Sequence, residues 1–216
     1  MSNKIINSIK ANLLPKKKMI ENVILFSVIF FIFFSFDLLT KYLFFSTEEY
    51  KIGFENNKRI IDWVIIGLRP KMHYGVTSGI NNLIGFIGIH IFSWIVFFVI
   101  IISIFFVENK WMIAALALLN AGNMGNAFDR IFFQNGVRDL FFIPYHDRGT
   151  FNLADIFIVS GSVAIIIVYC MQFLIEFIRK VKSKRNISLN QNTENNLNEM
   201  LDDEKTSKND LSNLEE

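Results

Sequence analysis

NAGNMGNAFDR (residues 120–130), IFFQNGVRDLFFIPYHDRGT (131–150) and FNLAD (151–155) form the stretch around which the rest of the chain is organised. It reads as a helix end of small residues carrying Asn126, Asp129 and Arg130, a short polar loop carrying Asp139, and a second helix opening with Asn152 and Asp155. The sequence on either side is apolar enough to lie in a membrane. Carboxylates and amides at membrane depth are costly to desolvate, so such a cluster is a functional-site hypothesis by default.

Working outward, the whole chain is 216 residues, room for one domain. It is 52% hydrophobic with 24 Phe, and its mean hydropathy is +0.36, which points to a polytopic membrane protein rather than an ordinary soluble one. The net charge of +2 says little, because Lys and Arg cluster at particular helix ends. No nucleic-acid partner is expected. The single cysteine, Cys170, sits in an apolar run; it permits no internal disulfide and reads as a lipid- or core-facing residue rather than a reactive thiol.

Residues 1–18 are polar and basic, ending in Lys16, Lys17 and Lys18. The apolar segment Met19 to Phe36 that follows resembles part of a signal peptide, but no small-x-small cleavage site comes after it, and Asp37-Leu38-Leu39-Thr40-Lys41 continues it. An uncleaved membrane helix is expected, with Asp37, Thr40 and Lys41 on one face at its far end. In the long connection 46–82, the run Trp63–Ile66 is too short to span and is expected as a strand bounded by Gly67 and Pro70, its Trp suiting the membrane interface. Met72 to Gly79 reads as a polar loop, with His73 an ordinary loop histidine. Leu83 to Val107 is 25 residues without Asp, Glu, Lys or Arg, about 37 Å as helix, enough to span with tilt. Its one ionisable group, His90, is expected to face a neighbouring helix or the interface. Glu108-Asn109-Lys110 is a tight turn. Trp111 to Phe128 is the third span, about 27 Å long. Ala117, Ala121 and Gly125 repeat every four residues in it, a spacing that lets helices pack closely in lipid. Ala154 to Phe177 is the fourth span.

Four helices put the N-terminal lysines, Lys110, and the run Arg179, Lys180, Lys182, Lys184 and Arg185 on one side, which the positive-inside rule makes cytoplasmic. The loops 41–82 and 129–153 then face outward, and the polar cluster gathers near the outer leaflet. The divisions expected are a basic cytoplasmic N-terminus (1–18), a four-helix membrane domain (19–181) and a polar cytoplasmic tail (182–216) whose composition cannot bury a core and so predicts disorder.

Two carboxylates in a poorly solvated site cannot easily both ionise, so the pair can hold one proton between them. One then activates a water while the other polarises a carbonyl, the chemistry of aspartic proteases. Neither a Ser or Cys nucleophile paired with a base, nor a zinc-type HExxH, nor a phosphate-binding glycine loop is evident near the outer ends. Spacing alone does not choose which two of Asp37, Asp129, Asp139 and Asp155 form the pair. The residues also allow a small ion-coupled transporter subunit, whose carboxylates would bind cations or protons. Against that reading, there is no internal repeat and the carboxylates lie toward one face rather than at mid-membrane.

Taken in order, Asp37-Leu38-Leu39-Thr40-Lys41, Ala121-Gly122-Asn123-Met124-Gly125-Asn126-Ala127-Phe128-Asp129-Arg130, Gly136-Val137-Arg138-Asp139-Leu140 and Phe151-Asn152-Leu153-Ala154-Asp155 resemble the motifs of lipoprotein signal peptidase (signal peptidase II), over roughly residues 20–180. The departures are Ala121 for the first glycine, Leu140 ahead of the aromatic Phe141, and His73 where the family has asparagine. The resemblance implies an all-α membrane protein of four transmembrane helices, with a small extracytoplasmic β-cradle between helices one and two, over residues 46–80. It implies a catalytic dyad of Asp139 and Asp155, with Asn126, Asp129, Arg130 and Asn152 shaping the site and Asp37 and Lys41 supporting it. It further implies cleavage of prolipoprotein signal peptides before a diacylglyceryl-modified cysteine, no metal or organic cofactor, contact with membrane lipids, inhibition by the cyclic peptide globomycin, and a bacterial plasma-membrane location with both termini cytoplasmic. A complete site on one four-helix unit makes a monomer the expected state. An inactive lipoprotein-binding homologue is the remaining alternative, and intact Asp139 and Asp155 argue against it.

Overall fold

The computed structural model describes residues 12–45, 61–74, 78–146 and 149–212, with backbone alone at 78–84, 188, 190 and 192–212. Residues 1–11 of the basic N-terminus, 46–60 and 75–77 of the first connection, Asp147, Arg148 and 213–216 lie outside the described residues. The chain divides into two units, Met1–Val168 and Tyr169–Glu216.

Four helices carry the chain: α1 (Lys16–Phe44), α2 (Ser78–Ser103), α3 (Lys110–Phe132) and α4 (Leu153–Ser212). Three stretches among the described residues, Lys16–Phe44, Gly85–Ser103 and Leu153–Ile187, are long and apolar enough to cross a membrane. α3 is not among them, because Asn120, Asn123, Asn126, Asp129 and Arg130 dilute its apolar character. α2 is broken at Gly85, whose φ of 62° and ψ of 179° are open to glycine and strained for any L side chain. The first core packs Phe26 of α1, Ile100 and Ile104 from α2 and the turn after it, and Ile113 and Ala117 of α3. Asn22 of α1 holds the turn that follows α2, its Nδ2 donating to the carbonyls of Ile104 and Val107 at 2.9 Å each. Asn109 caps the start of α3 by accepting from the Trp111 amide at 2.8 Å.

The fold is mostly helical with one small antiparallel sheet, ordered β1 (Ile61–Asp62), β2 (Gly67–Tyr74), β3 (Gly136–Phe142) and β4 (Thr150–Phe151). This corrects the sequence reading in four respects. The sheet is not built only between α1 and α2; half of it comes from between α3 and α4. Trp63–Ile66 is the turn of a hairpin, closed by Trp63 N to Ile66 O at 3.1 Å, and the strand follows it, with Gly67 and Pro70 inside β2. Gly136–Leu140 is not a polar loop but part of the buried strand β3, which pairs with β2 on one edge and, through Phe141 and Phe142, with β4 on the other. Its Arg138 and Asp139 can be buried because they are bonded internally, which local composition does not reveal. Met72 to Tyr74, read as loop, likewise lies in β2.

In the second unit the helix is continuous from Tyr169 to Ser212, mostly apolar through Ile178 and mostly polar beyond. It runs on through 182–212, the described part of the polar tail. Helical hydrogen bonds are local and require no core.

Candidate functional site

The start of α4 is the frame of the site. Asn152 and Asp155 form a reciprocal capping pair: Asn152 Oδ1 accepts from the Asp155 amide and Asp155 Oδ2 accepts from the Asn152 amide, both at 3.0 Å. Their remaining side-chain atoms stay available for other partners. The next free amide of the helix, that of Ala154, donates to Asp37 Oδ1 at 2.9 Å, joining α1 to α4. This approach depends on glycine. A Cβ at Gly125 of α3 would collide with Asp37 Oδ2, and one at Gly122 would collide with the Ala154 carbonyl.

Beneath lies a buried ion network. Lys41 Nζ sits 2.7 Å from Asp37 Oδ2 and 3.2 Å from Asp129 Oδ2, and donates to Asn126 Oδ1 at 3.4 Å. Arg138 Nη2 and Nε donate to Asp129 Oδ1 at 2.7 and 3.2 Å, and the Arg138 amide donates to Asp129 Oδ2 at 3.0 Å. Asp37, Lys41 and Asp129 are fully buried. Two cations balance two carboxylates, which is what permits such groups inside a protein.

Above this network a chain of amides links the other two carboxylates. Asn152 Nδ2 donates to Asp139 Oδ1 and to Asn126 Oδ1, each at 3.0 Å, and Asn126 Nδ2 donates to Asp155 Oδ1 at 2.8 Å. Asp139 Oδ2 accepts from Thr150 Oγ1 at 3.0 Å. Burial and then the neighbouring Asp155 carboxylate raise the Asp139 carboxyl from 3.8 to about 7, against the opposing pull of Thr150, Lys41 and Asn152.

Seven of the eight residues marked in the sequence, Asp37, Lys41, Asn126, Asp129, Asp139, Asn152 and Asp155, are thus joined through one set of hydrogen bonds and ion pairs. The eighth, Arg130, lines an adjacent cavity of about 650 Å³ together with Asn126 and Asp155, and its charge reaches Asp155, Asp129 and Asp139. The rest of that cavity is mostly apolar, with Ile89, Phe92 and Val96 of α2 facing Leu119 and Ile158. A polar, charged end therefore opens onto a hydrophobic chamber.

Two participants lacked a role in the sequence reading. Arg138 stood inside a quoted motif with no function given to it. Thr150 stood just before another, and its position two residues ahead of Asn152 was the only signal of its part. His73 is exposed on β2 opposite Val137. His90 of α2 meets not a helix but the turn between α3 and β3, its Nε2 lying 2.9 Å from Oδ1 of Asn135, a residue of left-handed backbone. Among the described residues no group of His, Cys, Asp and Glu is arranged to hold a metal ion.

A family model described as signal peptidase (SPase) II matches residues 29–171. The chain is 31% identical over 167 residues to the lipoprotein signal peptidase of Borreliella afzelii (strain PKo), covering 70% of this chain and 91% of the relative. It is 40% identical over 80 residues to the lipoprotein signal peptidase of Tropheryma whipplei (strain TW08/27); that match takes in 32% of this chain and spans about half, 53%, of the relative. A solved bacterial membrane enzyme, obtained by the in meso method, superposes with a TM-score of 0.58 at 24% identity over 68% of this chain and 88% of its own, a likeness of fold.

Proposed function

The chain belongs to the signal peptidase II family, and from that premise we propose that it is an intramembrane aspartic endopeptidase that removes signal peptides from prolipoproteins, cutting before the diacylglyceryl-modified cysteine. The observation that carries this reading is the amide chain connecting Asp139 on β3 to Asp155 on α4 beside a largely apolar cavity. The charge balance supports it. With Asp37, Lys41, Asp129 and Arg138 neutral as a set, Arg130 beside a dyad carrying one proton is neutral too.

In the proposed reaction Asp139 holds the proton, consistent with a carboxyl raised to about 7, and Asp155 is the ionised base. Asp155 takes a proton from water as the oxygen attacks the scissile carbonyl carbon, and Asp139 gives its proton to the carbonyl oxygen, producing a neutral gem-diol. Collapse breaks the C–N bond. Asp155 then delivers a proton to the leaving nitrogen while Asp139 recovers one from the gem-diol hydroxyl, so the dyad returns to its starting state. Asn126 and Asn152 keep the two carboxylates in register. Asp129, Arg138, Lys41 and Asp37 hold those amides in place, and the apolar cavity suits a substrate that arrives within the membrane.

This reading includes a membrane domain over residues 19–181 in which α3 is a fourth crossing, its Asn123, Asn126 and Asp129 bonded inside the bundle. It also includes both termini in the cytoplasm, the site near the outer leaflet of the bacterial plasma membrane, a monomeric enzyme, and globomycin as an inhibitor. The family assignment gives the transporter alternative no support.

The test is cleavage of a diacylated prolipoprotein by detergent-purified wild type, Asp139→Asn and Asp155→Asn. Asparagine keeps the shape and removes the titrating group. We expect cleavage by wild type and retained binding without cleavage in both variants. An active Asp139→Asn enzyme would move the partner role to Asp129.

A further inference from the structure

We propose that the exposed apolar turn Trp63-Val64-Ile65 at one end of the sheet, with Tyr145 from the neighbouring loop, inserts into the membrane interface and fastens the sheet to the lipid surface. The argument begins with exposure. Trp63 is 57%, Val64 88%, Ile65 75% and Tyr145 77% accessible. Short hairpin turns ordinarily carry Gly, Asn, Asp or Ser, which reach turn geometry easily and are content in water. A β-branched pair bared at such a turn is out of keeping with an aqueous surface and in keeping with an apolar one.

Register brings the two loops together. Gly67 pairs with Phe142, so the turn preceding Gly67 and the Ile143–His146 segment following Phe142 leave the sheet at the same end.

The direction of β3 shows which way that end points. The Gly136 amide donates to the carbonyl of Phe133, Arg138 holds Asp129, and Asp139 reaches Asn126 through Asn152. Strand residues 136, 138 and 139 thus meet progressively earlier positions of α3, so the strand retraces the helix rather than leading away from it. At its far end Phe142 pairs with Thr150, three residues before Leu153, where the apolar span of α4 begins. The loops are therefore held at the level where the chain enters the bilayer. A Trp and a Tyr flanking aliphatic tips is the composition that this zone favours. The occupant we assign is the bilayer that α1, α2 and α4 already cross. The inference rests on that membrane reading and not on the catalytic assignment.

The chain has three tryptophans, Trp63, Trp94 and Trp111. The full-length chain would be reconstituted in phosphatidylcholine–phosphatidylglycerol vesicles as two single-tryptophan forms, one keeping Trp63 (Trp94→Phe, Trp111→Phe) and one keeping Trp94 of α2 (Trp63→Phe, Trp111→Phe). Fluorescence would be read with nitroxide lipids labelled at the headgroup or deep in the acyl chain, and with acrylamide in the water. We expect Trp63 emission to be blue-shifted, to lose most of its intensity to the headgroup label and to resist acrylamide. Adding Val64→Asp and Ile65→Asp to that form should shift the emission red and restore acrylamide quenching. Trp63 open to acrylamide and untouched by either lipid label overturns the proposal, including where another protein or a second copy would be the true occupant. Trp94 separates the two failures. If it is quenched by the deep label while Trp63 is not quenched by lipid, only the anchor is wrong; if neither tryptophan senses lipid, the membrane reading itself fails. Should the tryptophan replacements fold poorly, a spin label at Ile65→Cys in a Cys170→Ser background reads the same depth, and a water-exposed label there overturns the proposal equally.

Discussion

Thr150 carries one of the two hydrogen bonds that favour ionised Asp139, the other coming from Asn152. Replacing it with valine removes a donor and leaves the shape. A hydrogen bond to a charged group contributes about 1.5–3 kcal/mol, so the proton on Asp139 should be held to a pH higher by on the order of one unit. A pH–rate profile of Thr150→Val should show its alkaline limb displaced upward, with Thr150→Ser returning it; a profile that merely drops in height would mean that Thr150 does not tune the dyad. The same carboxyl affects stability. Its folded pKa, about 7, lies above the ordinary 3.8. Between those values the folded chain binds more protons than the unfolded one, so stability falls as pH rises through that window. Asp139→Asn is free of this loss. Its thermal midpoint relative to wild type should climb from pH 4 to pH 7 and level off above, which paired thermal melts would check.

Helix contacts show how the small residues of α3 serve the site. Ala117 and Ala121 are buried against neighbours, and Gly122 and Gly125 admit Ala154 and Asp37 where a side chain would collide. Close packing here places a carboxylate against a helix N-terminus. Gly125→Leu should therefore do more than overpack, which by itself costs about 1–3 kcal/mol. It should push Asp37 off the Ala154 amide, lower the thermal midpoint and abolish cleavage together. A variant that loses stability but cleaves normally would separate the packing from the site. The three asparagines spaced every three residues along α3 have different fates. Asn126 joins the carboxylates and Asn123 donates to the Ser93 carbonyl at 2.9 Å. Asn120 is buried with neither amide atom bonded among the described residues. Periodicity placed them on one side of a helix; it could not say which would find a partner.

The chain as a whole separates into a unit that contains the whole site and a second unit, Tyr169–Glu216, that contains none of it. The family match ends at residue 171. Removing residues 186–216 should accordingly leave cleavage of a diacylated substrate unchanged in detergent, and a large loss would assign the polar helix a part in catalysis. Sequence by itself determined three apolar spans, the small-residue stripe and the polar residues from Asp37 to Asp155 that the site joins. Those properties follow from side-chain solvation and helical spacing, which are local. It did not determine that Asp139 lies on a strand, that the sheet takes half its strands from the connection between α3 and α4, or that Thr150 and Arg138 complete the hydrogen bonding. Pairings between residues distant in sequence leave no period to read: β2 meets β3 across more than sixty positions, and Asp37 meets Ala154 across 117. Only the tertiary structure decided which carboxylates balance a cation and which are joined through amides, because burial and proximity, not residue type, set where a proton rests.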